Sequence, residues 1–150
     1  MRRLLILAAA AAAVVVVVVV LAGSGSAQTG PRTIHVVSTT RSEFNVDNRP
    51  RRKISPGDVF GFADSVRADD GSTGRDVGQC TVINRTTALC HVQAVLPTGQ
   101  LGFQFWINPR ANSGSGEVTG GTGAYAGARG TFTFRDLGRR RTDVTITLLG

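Results

Sequence analysis

Asp64 is the residue best placed to do chemistry. It follows Phe60 and Phe62 at alternate positions in the run 57–66, GDVFGFADSV. Residues two apart on an extended strand share a face. Phe60, Phe62, Asp64 and Val66 therefore line one side, and Val59, Gly61, Ala63 and Ser65 the other. If the aromatic side is the interior, a carboxyl group stands among apolar side chains, where lost hydration raises its pKa and suits it to give or take a proton. If the other side is the interior, Asp64 is a solvated acid. Cys80, Cys90 and His91 are the other reactive types. As a zinc set they are a ligand short, because structural zinc takes four protein ligands. Residues 78–83 and 87–95 instead alternate as two strands around Asn84-Arg85-Thr86, a hairpin that sets Cys80 nearly opposite Cys90. That is bridging reach. A disulfide closing so short a loop stabilises by about 2–3 kcal/mol. Gly120-Gly121-Thr122-Gly123 could in principle cradle a phosphate. The phosphate loop, however, needs a lysine at its end and the dinucleotide fingerprint a following helix. This run leads instead into Thr131, Phe132, Thr133 and Phe134, which alternate as a strand, so it is expected to be a tight turn.

The elements that must hold these residues begin after an export signal. Met1-Arg2-Arg3 is a basic start and residues 4–22 are uninterruptedly apolar, followed by the small residues Gly23 to Ala27. This is the pattern of a signal peptide over residues 1–27. Nineteen apolar residues can also just span a bilayer as an uncleaved anchor, the one route to a membrane. Residues 28–32 form a linker, and residues 33–150 are long enough for one domain with a modest core. Without Arg2 and Arg3 the 17 basic residues fall to 15 against 10 acidic ones, a net charge of +5. Arg49, Arg51, Arg52 and Lys53 cluster, as do Arg139, Arg140 and Arg141, but in turn-like sequence without interleaved aromatics. They are expected to be solvated loops rather than a nucleic-acid surface. Sixteen arginines against one lysine suit a GC-rich bacterial genome.

Past residue 28 nothing has helical periodicity. Short alternating segments fall at 33–39, 57–66, 78–83, 87–95, 100–107, 115–119, 129–135 and 143–149, separated by turn residues. A long polar loop is expected over 40–56, and a turn over 67–75. Evenly spaced alternating strands argue for an antiparallel all-β sandwich or barrel. The count near eight, with aromatics gathered on one face of several strands, favours a closed barrel just wide enough for one small ligand.

The run 120–130, GGTGAYAGARG, resembles the signature shared by the allene oxide cyclase barrel and dirigent families. Three further pieces are similar and correctly ordered: Pro56-Gly57-Asp58-Val59-Phe60-Gly61-Phe62, then Val77-Gly78-Gln79-Cys80, then Leu96-Pro97-Thr98-Gly99-Gln100-Leu101 followed by Gln104. The likeness spans residues 56–134. It implies an eight-stranded antiparallel barrel, often a homotrimer, whose apolar cavity handles a lipophilic or phenolic reactive intermediate without a cofactor or metal. Asp64 falls where dirigent proteins carry an Asp, and Arg129 matches the Arg of their Ala-Arg-Gly segment, which implies a catalytic role for both. Phe60 and Phe62 would line the ligand, with Gln104 and Tyr125 as hydrogen-bonding partners and Trp106 as packing. The sequence also departs from the pattern. Cys80 falls where the cyclases have a pocket cysteine but is paired with Cys90. Ser38-Thr39-Thr40 occupies the place of a cyclase glutamate, with Glu43 close but out of register, and no second acid appears at 123–125. The expectation is an exported barrel that binds a small hydrophobic molecule and guides its cyclisation or coupling. A non-catalytic carrier and a filled structural barrel are the alternatives.

Overall fold

The computed structural model describes residues 30–48 and 54–150. The apolar segment, the proposed signal cleavage region and the first basic cluster lie outside the described residues. Eight strands follow one another: β1 (Arg32–Val46), β2 (Val59–Ala68), β3 (Thr73–Asn84), β4 (Thr87–Leu96), β5 (Gly99–Ile107), β6 (Ser113–Gly123), β7 (Gly130–Gly138) and β8 (Arg141–Leu148). Each pairs antiparallel with the next, and β8 pairs with β1 to close the barrel. Closure leaves no free sheet edge. Arg32 faces Leu148 across that seam, so both ends of the domain sit at one end of the barrel, beside the β4–β5 and β6–β7 turns.

The interior is built from the alternation visible in the sequence. On β5, Leu101, Phe103 and Phe105 are buried while Trp106 is 58% exposed. Phe103 and Phe105 meet Phe132 edge-on at 5.1 and 5.3 Å, and Phe134 joins Phe105 at 5.3 Å, within the spacing that aromatic pairs prefer. β6 supplies room for these rings. Its inward positions Gly114 and Gly116 lie beneath Phe134 and Phe132, so a Cβ at either would enter a ring. Val118, Ile146, Leu148 and Tyr125 complete the packing near the end where the chain enters and leaves.

Four expectations shift. β1 runs on to Val46 through what reads as a polar loop, because residues 42–46 pair with 59–63 of β2. One extra residue, Arg41, bulges out between Thr40 and Ser42. β3 starts at Thr73, inside the segment whose composition suggests a turn, because its first residues pair with β2 from Ser65 to Arg67. The glycine run 120–123 is not itself the turn. It ends β6, paired with residues 99–102 of β5, and the chain reverses over 124–127. Gly123 has φ of 61°, and a Cβ there would also meet the Thr98 carbonyl, so only glycine fits. Finally, Arg32, expected at the end of a linker, already belongs to β1.

Candidate functional site

A cavity of about 510 Å³ occupies the barrel interior, within the roughly 300–1,000 Å³ of pockets that hold small organic ligands. Its walls carry Phe60, Phe62, Phe103, Phe105, Phe132 and Phe134. At one end it reaches the exposed residues Glu43, Asn45 and Asp136, which form the mouth. The opposite end is closed by Tyr125, Leu101 and Leu148, all buried. Cys80 and Cys90, direct partners of β3 and β4, form the expected disulfide with Cα atoms 4.0 Å apart. It faces inward and is part of the wall. Bonded to each other, the two sulfurs are not available as the thiolates a zinc site requires.

Asp64 lies on the inward face of β2 and is 8% exposed. Its neighbour across the strand pair is Asp76 on β3, and Ser38 on β1 sits between the two. The Ser38 hydroxyl donates to Asp64 Oδ2 at 2.8 Å, and the same oxygen lies 3.1 Å from Asp76 Oδ2. A serine hydroxyl carries one hydrogen. Both contacts are hydrogen bonds only when a carboxylic acid donates the second, so the cluster is built to hold an extra proton. Burial pushes Asp76 up to about 7, reinforced by the charge of Asp64 and opposed by Ser38. Burial likewise raises Asp64, against the Ser38 and Thr40 hydroxyls, with Glu43 adding to the rise and Arg140 opposing it. The pair thus holds a proton more readily than free carboxylates do, with Asp76 strongly raised. Two oxygens, Asp64 Oδ1 and Asp76 Oδ1, are buried without any hydrogen-bond partner. Leaving a charged acceptor so costs free energy, and a donor from a bound molecule would recover it.

The residues singled out by sequence divide into two groups. Asp64, Phe60 and Phe62 line the cavity, which settles the two-faced reading of β2 in favour of an inward carboxylate. Gln104, Arg129 and Tyr125 do not line it. Gln104 alternates with the inward Phe103 and Phe105 and lies on the outer face opposite His91. Arg129 is exposed and donates to the Thr119 and Ala128 carbonyls at 3.0 and 2.9 Å, pinning the turn after β6. Tyr125 is buried at the closed end, its hydroxyl 3.4 Å from Thr98 and its ring under Arg32 at 5.6 Å. Three contributors were not found from sequence: Asp76, Ser38 and an inward Glu43. The Arg41 bulge shifts the alternation of β1, so Glu43 pairs with Phe62 and joins the inward face, while Phe44 turns outward. For Asp76 a signal existed, since it is two pairs from the inward Cys80.

No protein-family model matches the sequence, and no curated protein matches it. Solved structures share its shape. A pyocyanin demethylase superposes with a TM-score of 0.71 at 21% identity, covering 78% of this chain and 99% of that one. An exo-specific intermolecular Diels-Alderase gives 0.65 at 12% identity, over 79% and 97% of the two chains. A pterocarpan synthase dirigent protein gives 0.65 at 14% identity, over 79% and 94%. At such identities the likeness shows the fold alone. It is the barrel fold that the glycine-rich signature implies.

Proposed function

We propose that this barrel, which shares its fold with cyclase-like and dirigent proteins, takes a small lipophilic molecule into its phenylalanine-lined cavity and moves a proton on it. Cyclisation, coupling or isomerisation then proceeds without a cofactor. The observation that carries the reading is the pair Asp64–Asp76, bridged by Ser38 inside an otherwise apolar chamber. Two titratable groups whose environments separate their pKa values are the usual basis for assigning acid and base. Asp64, as carboxylate, accepts a proton from the bound molecule. Asp76, as carboxylic acid, donates one to a developing oxyanion or carbanion. Ser38 then passes the proton from Asp64 to Asp76 and restores the pair. Protons balance within the cycle, so cyclisation or isomerisation rearranges one molecule and coupling adds two together, in each case with no change of oxidation state. The aromatic walls hold it in one conformer, which supplies the entropic part of the rate. Arg129, expected beside the substrate, has no part in this scheme. The disulfide and the N-terminal apolar segment support an exported protein, since disulfides persist in oxidising compartments.

Native mass spectrometry of protein recovered from its own culture medium would show any retained small molecule, together with the subunit number and whether residues 1–27 are gone. With that molecule as a guide, Asp64→Asn and Asp76→Asn should each abolish turnover while leaving the fold intact. Unchanged turnover in both variants sinks the proton-transfer reading and leaves a carrier, which the predominantly apolar lining would equally serve.

A further inference from the structure

The chain is strongly basic, with 17 Lys and Arg against 10 Asp and Glu, yet its cavity has the opposite sign. Glu43, Asp64, Asp76 and Asp136 line it, and among the described residues no Lys, Arg or His does. At the mouth Glu43 has a partner, Arg140 at 3.8 Å, and Asp136 accepts from the Gly138 amide at 2.7 Å. Deeper in, Asp64 and Asp76 have neither a cation nor a donor for their Oδ1 atoms. Aromatic faces surround them, and such faces attract cations. A carboxylate or phosphate brought into this chamber would face like charge at low dielectric, which is costly.

We infer that the ligand is a lipophilic amine or nitrogen heterocycle that carries an N–H⁺ group, seated with that group against the free oxygens of Asp64 and Asp76 and its rings among the phenylalanines. The inference rests on the cavity being a ligand site, and it names the ligand's charge and donor chemistry. It departs from the lipophilic or phenolic intermediate that the sequence resemblance implies. A cation here is held best when Asp64 is ionised, so its uptake depends on pH. The groups that set this titration are Asp64 on β2, the Ser38 and Thr40 hydroxyls on β1 and the uncharged Ala94 opposite Asp76 on β4. Glu43 and Arg140 are the next charges.

Three probes on one tricyclic frame separate the possibilities by fluorescence titration of the full domain. They are 9-aminoacridine as the cation with N–H donors, 9-anthracenemethanol as the neutral compound, and 9-anthracenecarboxylate as the anion. The expected result at pH 8 is that the cation binds tighter than the neutral probe by about tenfold or more, and the anion weakest, as a charge-assisted hydrogen bond would give. That preference should shrink at pH 5, where Asp76 holds its proton, and in Asp64→Asn and Asp76→Asn. Equal or tighter binding of the neutral or anionic probe overturns the inference but leaves the cavity reading standing. A cation preference that survives both pH 5 and the two variants also overturns it, since the cation is then held elsewhere. Failure of all three probes to bind removes the cavity reading itself.

Discussion

The barrel carries two pairs of carboxylates, each joined by one residue of β1, and they are balanced in opposite ways. Outside, His35 spans Asp69 and Asp143, with Nδ1 2.7 Å from one and Nε2 2.6 Å from the other. Both ring nitrogens donate only in the imidazolium form. The hydrogen bond to Asp69 and then that to Asp143 raise its pKa above the usual 6.5, and its charge offsets the acids it joins. Inside, Ser38 spans Asp64 and Asp76 with a neutral hydroxyl, so no cation in contact offsets the negative charge and only Arg140, farther off, acts on Asp64. The outer cluster ties the β1–β8 seam to the β2–β3 turn and is complete as it stands. The inner one is incomplete, with two buried oxygens left without partners, and such a cluster costs stability until a donor completes it.

The largest test of this contrast lies at Asp76. Its pKa is raised in the folded barrel from 3.8 to about 7, so the native state binds the extra proton and stability falls as pH rises between those values. Asp76→Asn should therefore stabilise the barrel at pH 8 by on the order of 4 kcal/mol, and flatten its thermal-melting profile between pH 4 and 8. A variant that melts lower than wild type at pH 8 would break the contrast. Next is the Cys80–Cys90 bridge, which holds the inner wall covalently. Reduction should cost about 2–3 kcal/mol, by an amount that does not change with salt, as chemical denaturation with and without dithiothreitol would show. His35→Ala should cost less, about 0.5–1 kcal/mol after solvent screening. Because the folded pKa is raised, that contribution is fully present below about 6.5 and is lost as pH climbs through the folded value. Half-molar salt should shrink it, unlike the disulfide term. Smallest is Glu43→Gln, within about 0.5 kcal/mol because its partnership with Arg140 is exposed. It should still lower the Asp64 pKa, since Glu43 is one cause of that rise, and carbonyl-region NMR titration would follow it.

How legible each part was in the sequence follows from how local its cause is. The disulfide could be read because a hairpin fixes both cysteines within one turn of chain. The inward face of β5 was visible from Leu101, Phe103 and Phe105 alone, and the same alternation already put Gln104 outside, against the role that resemblance implied for it. Asp76 was hidden because Asp69-Asp70-Gly71-Ser72-Thr73-Gly74 has turn composition. Only pairing with β2 pulls the latter part into a strand, and that pairing is tertiary. Glu43 was hidden by one bulged residue, which no alternation count reveals. The Gly120–Gly123 stretch misleads in the other direction. Its glycines let the strand end pass close under the Tyr125 turn and against β5, whereas the reversal comes just after it, over residues 124–127.

Because Arg32 and Leu148 face each other at the closed end, the first and last strands of the barrel begin and end on the side away from the mouth. A tag, a surface tether or a solid support attached at either terminus would leave the cavity open to solution. The domain could therefore be immobilised by its ends and loaded repeatedly with candidate compounds.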